Sequence, residues 1–334
     1  MKGACENVLS RRVLIVFSPS RDPSSAARNE LRFSRFANIL QEAGFASTPA
    51  QADSLSYLDE LIDRFHPDIV FSALDHLPDA EGSPVNVHGW LGQRNIPYVG
   101  SPPEVIELAL NKTALKRKWL ADGIATPEFL DLDFPTGLIQ IEEEELPPFP
   151  CIVKPSNAGN SRGITKDSVV FDIRSLKAQV GSVAKEFRHI LVEHYLGLYP
   201  DFREVTCACI GNGPERLLMP AELVILKQKG LHVITTQDKN RERTKARAMT
   251  DEGMREAAKA FAGRIFDSAG VRDYSRCDLV FAGGKFWAIE VNGQPMIPDS
   301  WFESCAQYAG LDEKGYIAAI IDAANRRLFP KLGE

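Results

Sequence analysis

The sequence lacks a long apolar run. The longest near the N-terminus, Val13-Leu14-Ile15-Val16-Phe17, is far short of the roughly 20 residues that carry a helix across a bilayer. It is also too short for a signal peptide's apolar region, and no small-residue cleavage site follows, so a cytoplasmic protein without a membrane partner is expected. Excess positive charge is missing too. Lys and Arg number 39 against 45 Asp and Glu, net −6, which argues against nucleic acid as a partner. The local exception is a basic stretch with Lys239, Arg241, Arg243, Lys245 and Arg247. No CxxC pair occurs among the six cysteines, Cys5, Cys151, Cys207, Cys209, Cys277 and Cys305. Cys151, Cys207, Cys209 and Cys277 sit in apolar runs, as buried free thiols of a reducing compartment do. No G-x-G-x-x-G follows Val13–Phe17, which argues against a nicotinamide-dependent dehydrogenase.

What is present is an ordinary globular composition. The 334 residues are 44% hydrophobic, with 18 Phe, 4 Trp and 7 Tyr, which excludes disorder as the main state and suits two or three domains. Val13–Phe17 reads as a buried strand. Apolar spacing predicts helices over Ala26–Ala43 and Leu55–Phe65, with a second strand at Ile69-Val70-Phe71. That order predicts an α/β fold with a doubly wound parallel sheet in the first hundred residues. After Pro102-Pro103 one helix is predicted over Val105–Gly123. Strands follow at Cys151–Lys154, Ile190–Glu193, Val205–Ile210 and Glu222–Leu226, then a helix over Asp251–Gly270, giving α+β character to the C-terminal part. The expected division is 1–102, 103–192 and 193–334.

The stretch richest in chemistry is Arg276 to Asn292. Two apolar strands flank Gly283-Gly284 and read as a hairpin. A two-residue loop pairs Asp278 with Ile289 and puts Glu290 on the other face. A three-residue loop from Ala282 pairs Arg276 with Glu290 and Asp278 with Ala288, bringing Arg276, Asp278, Glu290 and Asn292 to one patch. Directly opposite side chains lie roughly 5 Å apart. Two carboxylates and an amide oxygen on a rigid hairpin suit Mg²⁺, a hard cation.

Lys154 ends a predicted buried strand and leads into the small-residue loop Pro155–Gly163. An ammonium and backbone N–H groups of that kind can hold phosphate, although the loop lacks the G-x-x-x-x-G-K-[ST] order. Lys112, alone, reads as a solvated helix lysine.

Together these segments resemble the ATP-grasp superfamily, and most closely the D-alanine–D-alanine ligase family. The match is carried by Ile96–Ser101, Asn111-Lys112, Ile152–Gly163, Val192–Leu196, Arg203–Thr206 and Arg276–Pro295, and spans about residues 13–325. The resemblance implies an ATP-grasp fold and an ADP-forming ligase using ATP and two Mg²⁺ ions, with Mn²⁺ able to stand in. Its substrates would be small and amino-acid-like, and a homodimer is implied by analogy. Lys112, Lys154 and Lys239 would contact phosphates, beneath the loop holding Asn160 and Ser161. Glu193, Tyr195 and Leu196 would form the adenine hinge, and Glu204 would hold the ribose. Asp278, Glu290 and Asn292 would bind metal, and Arg276 would steady the phosphorylated intermediate. The basic segment Lys239–Arg247 is expected to serve as part of a lid.

The amino-acid side departs from the family pattern. Where the family has Gly-Gly-x-Ser-x-Glu-Arg-Glu, this chain has Ser18 to Glu30, with Ser25 at the ammonium-binding glutamate and Glu30 the nearest substitute. The family's His-Gly-x-x-Gly-Glu-Asp-Gly becomes Asp75-His76-Leu77-Pro78-Asp79-Ala80-Glu81-Gly82. Met296 stands where a glycine amide helps an oxyanion hole, and Ser300 is the candidate for the acceptor carboxylate. Nucleotide positions kept and substrate positions changed favour the same chemistry on a different amino acid, for example in natural-product biosynthesis; the alternatives are a housekeeping D-alanine–D-alanine ligase and, of another class, a non-catalytic nucleotide-binding protein.

Overall fold

The computed structural model describes residues 11–20, 22–133, 141, 143–159, 161–226, 230–235 and 243–330. Cys5, Asn160, Lys239 and Arg241 lie outside the described residues.

Strand β1 (Arg12–Phe17) is buried from Val13 to Phe17, as an apolar run between two parallel neighbours must be. Helix α1 (Pro23–Glu42) starts earlier than its apolar spacing predicted, because Asp22 accepts from the Ser25 amide and Pro23 suits a first turn. Strand β2 (Ala46–Gln51), α2 (Leu55–Phe65) and β3 (Ile69–Ser72) complete a parallel sheet ordered β2-β1-β3. The short hairpin of β4 (His76–Pro78) and β5 (Pro84–Asn86) leads into α3 (Val87–Gln93).

Instead of one helix over Val105–Gly123 there are two, α4 (Pro103–Leu110) and α5 (Lys112–Ala121). Asn111, extended at φ −112° and ψ 93°, separates them, and its side chain accepts from the Ala114 amide. Helical spacing continues across the break because both helices bury an apolar side; capping by Asn111 decides where the second begins.

Strands β6 (Phe129–Asp133), β7 (Cys151–Pro155), β8 (Val169–Val170) and β9 (His189–His194), with α6 (Ile173–Val183), form a four-stranded antiparallel unit ordered β6-β9-β7-β8. A five-stranded antiparallel sheet follows, ordered β12-β11-β10-β13-β14. Its members are β10 (Arg203–Ile210), β11 (Leu217–Ile225), β12 (Thr244–Ala248), β13 (Tyr274–Ala282) and β14 (Lys285–Asn292). Helix α7 (Glu252–Ala269) joins β12 to β13, and α8 (Trp301–Tyr308) and α9 (Glu313–Leu328) end the described fold.

The two faces of this last sheet have different partners. Ala208, Tyr274 and Met219 share a core with Phe36 and Phe71 of the N-terminal unit and with Phe302 and Ile317 of α8 and α9. Cys207, Cys277 and Leu279, on the other face, pack with Leu115 and Trp119 of α5 and with Phe266 of α7. Trp119 is fully buried, so α5 cannot rotate without emptying a site whose truncation costs about 3–5 kcal/mol. Lys112 and Lys116 are thereby fixed in orientation.

Asp273 fastens the units together. Its carboxylate accepts from the Gly100 amide at 2.8 Å, from Asn212 at 3.0 Å and from Arg327 at 2.6 and 2.9 Å. Among the described residues no helix is long and apolar enough to cross a membrane. Cys151, Cys207, Cys209, Cys277 and Cys305 are buried free thiols.

Candidate active site

The hairpin of β13 and β14 has the two-residue loop, but not the register that loop alone gives. Gly283 and Gly284 have φ of 61° and 76°, the turn that glycines allow and that matches strand twist, and both amides donate to Asp201. Ala282 pairs with Lys285 and Leu279 with Ala288, as a two-residue loop dictates. The register then shifts between Leu279 and Asp278, leaving Ile289 as the extra residue of a bulge. Asp278 therefore pairs with Glu290 and Arg276 with Asn292. Both pairings predicted from loop length are corrected: Asp278 faces neither Ile289 nor Ala288, and Arg276 does not face Glu290. A bulge leaves no signature in loop length.

Around this pair the charges are tightly arranged. Asp278 accepts from Thr206 at 2.7 Å and from the Arg276 guanidinium at 3.2 and 3.1 Å. Burial raises its carboxyl above the usual range against the pull of Arg276, and Glu290 adds to the rise. Glu290 meets the Lys112 ammonium at 3.6 Å. Arg276 is buried and lies over the Trp301 ring, 5.5 Å from its centre. Asn292 accepts from the Gln294 amide at 3.2 Å.

These groups stand where two cavities meet. The smaller, about 160 Å³, is lined by Lys112, Lys154, Ser161, Glu193, Tyr195, Leu196, Glu204, Asp278 and Glu290. The larger, about 660 Å³, is lined by Asp75, Lys112, Arg276, Glu290, Asn292, Met296 and Ser300. Lys112, Glu290 and Trp301 belong to both.

Lys112 is not a solvated helix lysine. It opens α5 beside the Asn111 cap, is 8% exposed, and donates to the Ala158 carbonyl at 2.7 Å. Thr113 and Ser156 hydroxyls meet at 2.8 Å and tie the loop to the start of α5. That loop folds back at Gly163, φ 77°, where a Cβ would stand 2.6 Å from Pro155. Ser161 also has positive φ, 56°.

Glu193 is 3% exposed and held between two ammonium groups, Lys154 at 2.8 Å and the fully buried Lys116. Burial alone would raise its carboxyl, but the two cations win and hold it below the ordinary range. Burial pushes Lys116 down to about 8, opposed by Glu193. Lys116 also donates to Thr126 at 2.5 Å, and Thr126 in turn to the Ala288 carbonyl at 2.8 Å. The sequence reading missed Lys116. Its signal is the four-residue step from Lys112 along a helix whose Leu115 and Trp119 are core residues.

Tyr195 is buried, its hydroxyl pushed up to about 12 by burial and donating to the His232 carbonyl at 3.0 Å. The His232 ring meets Glu204 at 2.6 Å. The Leu196 carbonyl accepts from the Tyr199 amide.

On the amino-acid side, local structure places three positions. Ser25 is absorbed into the first turn of α1. Glu30 is exposed on that helix, accepts from Gln51 at 3.0 Å, and lines neither cavity. Ser300 caps α8, accepting from Phe302 and donating to the Met296 carbonyl. Of the segment expected in a lid, 239–242 lie outside the described residues, and Thr244 to Arg247 belong to the paired strand β12, where Arg247 and Arg203 both engage the buried Glu222.

Among the described residues no three His, Cys, Asp or Glu gather as a metal cluster. The donor set at the hairpin is two carboxylates and one amide oxygen. Carboxylates that repel one another across a hairpin favour a cation between them, and such hard oxygens fit Mg²⁺, which takes one or two carboxylates and leaves room for phosphate oxygens and waters.

A mixed fold with a phosphate-type loop, buried lysines and a carboxylate hairpin between two cavities defines an ATP-grasp carbon–nitrogen ligase. The comparisons agree. The family described as D-ala D-ala ligase C-terminus matches residues 120–322, and the chain belongs to that family of ATP-dependent, ADP-forming ligases that use Mg²⁺. The D-alanine–D-alanine ligase of Moorella thermoacetica is 29% identical over 279 residues, 78% of this chain and 83% of its own. That of Cupriavidus necator is 25% identical over 265 residues, covering 79% and 77%. The crystal structure of the Bacillus anthracis D-alanine–D-alanine ligase complexed with ATP covers 96% of this chain and 99% of its own, at TM-score 0.73 and 19% identity. The VanG D-Ala:D-Ser ligase of Enterococcus faecalis covers 94% and 99% at TM-score 0.69 and 16% identity. At these identities the solved structures establish the fold.

Proposed function

We propose that this ligase activates the carboxylate of one amino acid as an acyl phosphate and joins it to the amine of a second, on a substrate pair other than two D-alanines. The observation carrying the proposal is the junction of the cavities. Reaction-side groups assemble there, while Glu30 lies outside both cavities, bonded to Gln51, and Ser300, on the wall of the larger one, is bonded to Met296 and Phe302. ATP occupies the smaller cavity, with the Glu204 carboxylate toward the ribose and the Tyr195–Leu196 segment beside the base. Glu193 orients the Lys154 ammonium and leaves its other N–H groups free to meet phosphate. Lys112, beside Glu290, brings a second ammonium to the phosphates. Mg²⁺, when bound by Asp278, Glu290 and Asn292, neutralises charge on the transferring phosphoryl group.

A substrate carboxylate oxygen attacks the terminal phosphorus, the bond to the ADP oxygen breaks, and lysines and Arg276 offset the charge. The second amine then attacks the acyl carbon, loses a proton, and phosphate leaves. Arg276, held flat by Asp278 and Trp301, faces the charge that develops in both steps. ATP use and buried free thiols support a cytoplasmic setting.

ADP release over a panel of single amino acids and pairs tests this. Release requiring two substrates, with a pair other than D-alanine and D-alanine preferred, is expected. A clear preference for two D-alanines returns the chain to cell-wall dipeptide synthesis. ATP binding without turnover on any pair marks a non-catalytic nucleotide-binding protein.

A further inference from the structure

Of the two cavities, Arg276 lines only the larger and Asp278 only the smaller, while Trp301 lines both. Asp278 grips one edge of the guanidinium, through Nε at 3.2 Å and Nη2 at 3.1 Å. That takes two of its five N–H groups, and no described residue takes the other three. A planar fork held along one edge still hinges about that edge. What limits the hinge is the Trp301 ring, whose centre lies 5.5 Å from the guanidinium carbon. That is inside the roughly 6 Å at which a π face attracts a cation, and the pull is strongest away from water. Trp301 is also the only aromatic side chain among the described residues lining the larger cavity.

The ring is fixed by the chain around it. Trp301 opens α8, and the cap Ser300 accepts from the Phe302 amide and donates to the Met296 carbonyl. The next side chain, Phe302, is fully buried and meets Tyr274 edge-on, with ring centres 6.2 Å apart. It also meets the Tyr316 ring of α9 at 5.8 Å. Tyr274 begins β13, the strand that carries Arg276. The Phe302–Tyr274 pair thus ties the helix bearing the ring to the strand bearing the guanidinium.

We infer that Trp301 is a positioning residue: its ring holds the three open N–H groups of Arg276 toward the larger cavity, and so keeps ATP use coupled to ligation. This rests on the ligase reading for the acyl phosphate, and it holds whichever amino acids are joined. Two attackers compete for the acyl carbon. An amine nitrogen or a water oxygen bonds to it, negative charge gathers on the carbonyl oxygen, the bond to the phosphate oxygen breaks, and the attacker loses one proton. The amine gives ligated product and phosphate; water returns the free carboxylate and phosphate. Lys112 and Lys154 also serve phosphoryl transfer, so ATP is still consumed when the guanidinium tips. The carbonyl oxygen then lacks an oriented donor, the amine is slow, and the waiting acyl phosphate escapes to solvent, where hydrolysis needs no such donor.

The test measures ligated product per ADP released, together with kcat, for the unaltered chain, Trp301→Leu and Trp301→Phe on the amino-acid pair the unaltered chain prefers. Product per ADP does not depend on how much of a variant is folded. Leucine keeps apolar bulk without a π face, and phenylalanine keeps the face. Trp301→Leu is expected to lower kcat for ligation roughly 10- to 30-fold, the scale of a cation–π contact out of water. It also lowers product per ADP at least about twofold. Trp301→Phe brings both to within about threefold and nearly to the full ratio, respectively. A ratio unmoved in Trp301→Leu overturns the inference. So does a loss in Trp301→Phe as deep as in Trp301→Leu, which marks bulk alone. An unaltered chain that releases no ADP with any amino acid fails at the ligase reading, and the inference falls with it.

Discussion

The two cavities differ in how their charges are settled. In the smaller one, side chains satisfy one another: Glu193 with two lysines, Glu204 with His232, Asp278 with Arg276 and Thr206. In the larger one, four times the volume, the Asp75 carboxylate has no side-chain donor among the described residues. The contrast teaches that chemistry and choice of substrate are built differently. Groups that stabilise a developing charge must be oriented before the reaction, whereas groups that choose a substrate stay open for it.

The sharpest way to break this contrast is at the junction. Glu290→Gln, which keeps shape and removes charge, is expected to slow ADP formation at least about 100-fold, with an unchanged thermal midpoint by circular dichroism. A rate within threefold of the unaltered chain would remove Glu290 from the reaction.

The next largest effect lies behind the smaller cavity. Lys116→Met leaves the buried Glu193 with one cation and is expected to cost about 3–5 kcal/mol in urea unfolding. It also raises the KM for ATP, since Glu193, which orients Lys154, loses its second cation. A stability loss with nucleotide KM unmoved would separate the lysine from nucleotide binding.

A third test uses pH away from both cavities. His88, buried against Tyr98 with its Nδ1 on the Ser101 carbonyl at 2.7 Å, is pushed down to about 4 by burial. The unfolded chain therefore binds the proton first, and stability is full above pH 6.5 and falls as pH drops toward 4, by roughly 2–3 kcal/mol. Urea midpoints across that window measure it, and His88→Phe should flatten the fall. The smallest effect belongs to Asn111→Ala, which removes the α5 cap. It should cost about 1 kcal/mol and raise the KM for ATP a few-fold, because Lys112 is the next residue.

Much of this was legible in the sequence, and the losses have physical reasons. Val13–Phe17, Leu55–Phe65 and the β13–β14 hairpin follow from apolar runs, periodicity and a Gly-Gly turn. β2 does not, since Ala46–Gln51 has no apolar run and is a strand only because β1 offers it a parallel edge. The bulge at Ile289 was invisible because one extra residue changes facing without changing composition. Lys116 was hidden because a lysine in a helix reads as solvated until its neighbours are known to be core. On the substrate side a family pattern names only what is missing; which side chain takes over depends on packing.

Asp273 has one more consequence. It is fully buried, and two of its donors come from Arg327, almost at the end of the last helix. A ribosome must therefore pass residue 327 before this carboxylate gains its counterion and the first hundred residues gain their clasp. A chain stopped short of Arg327 keeps a sequestered negative charge without its guanidinium, and trypsin should open it between the N-terminal unit and the remainder.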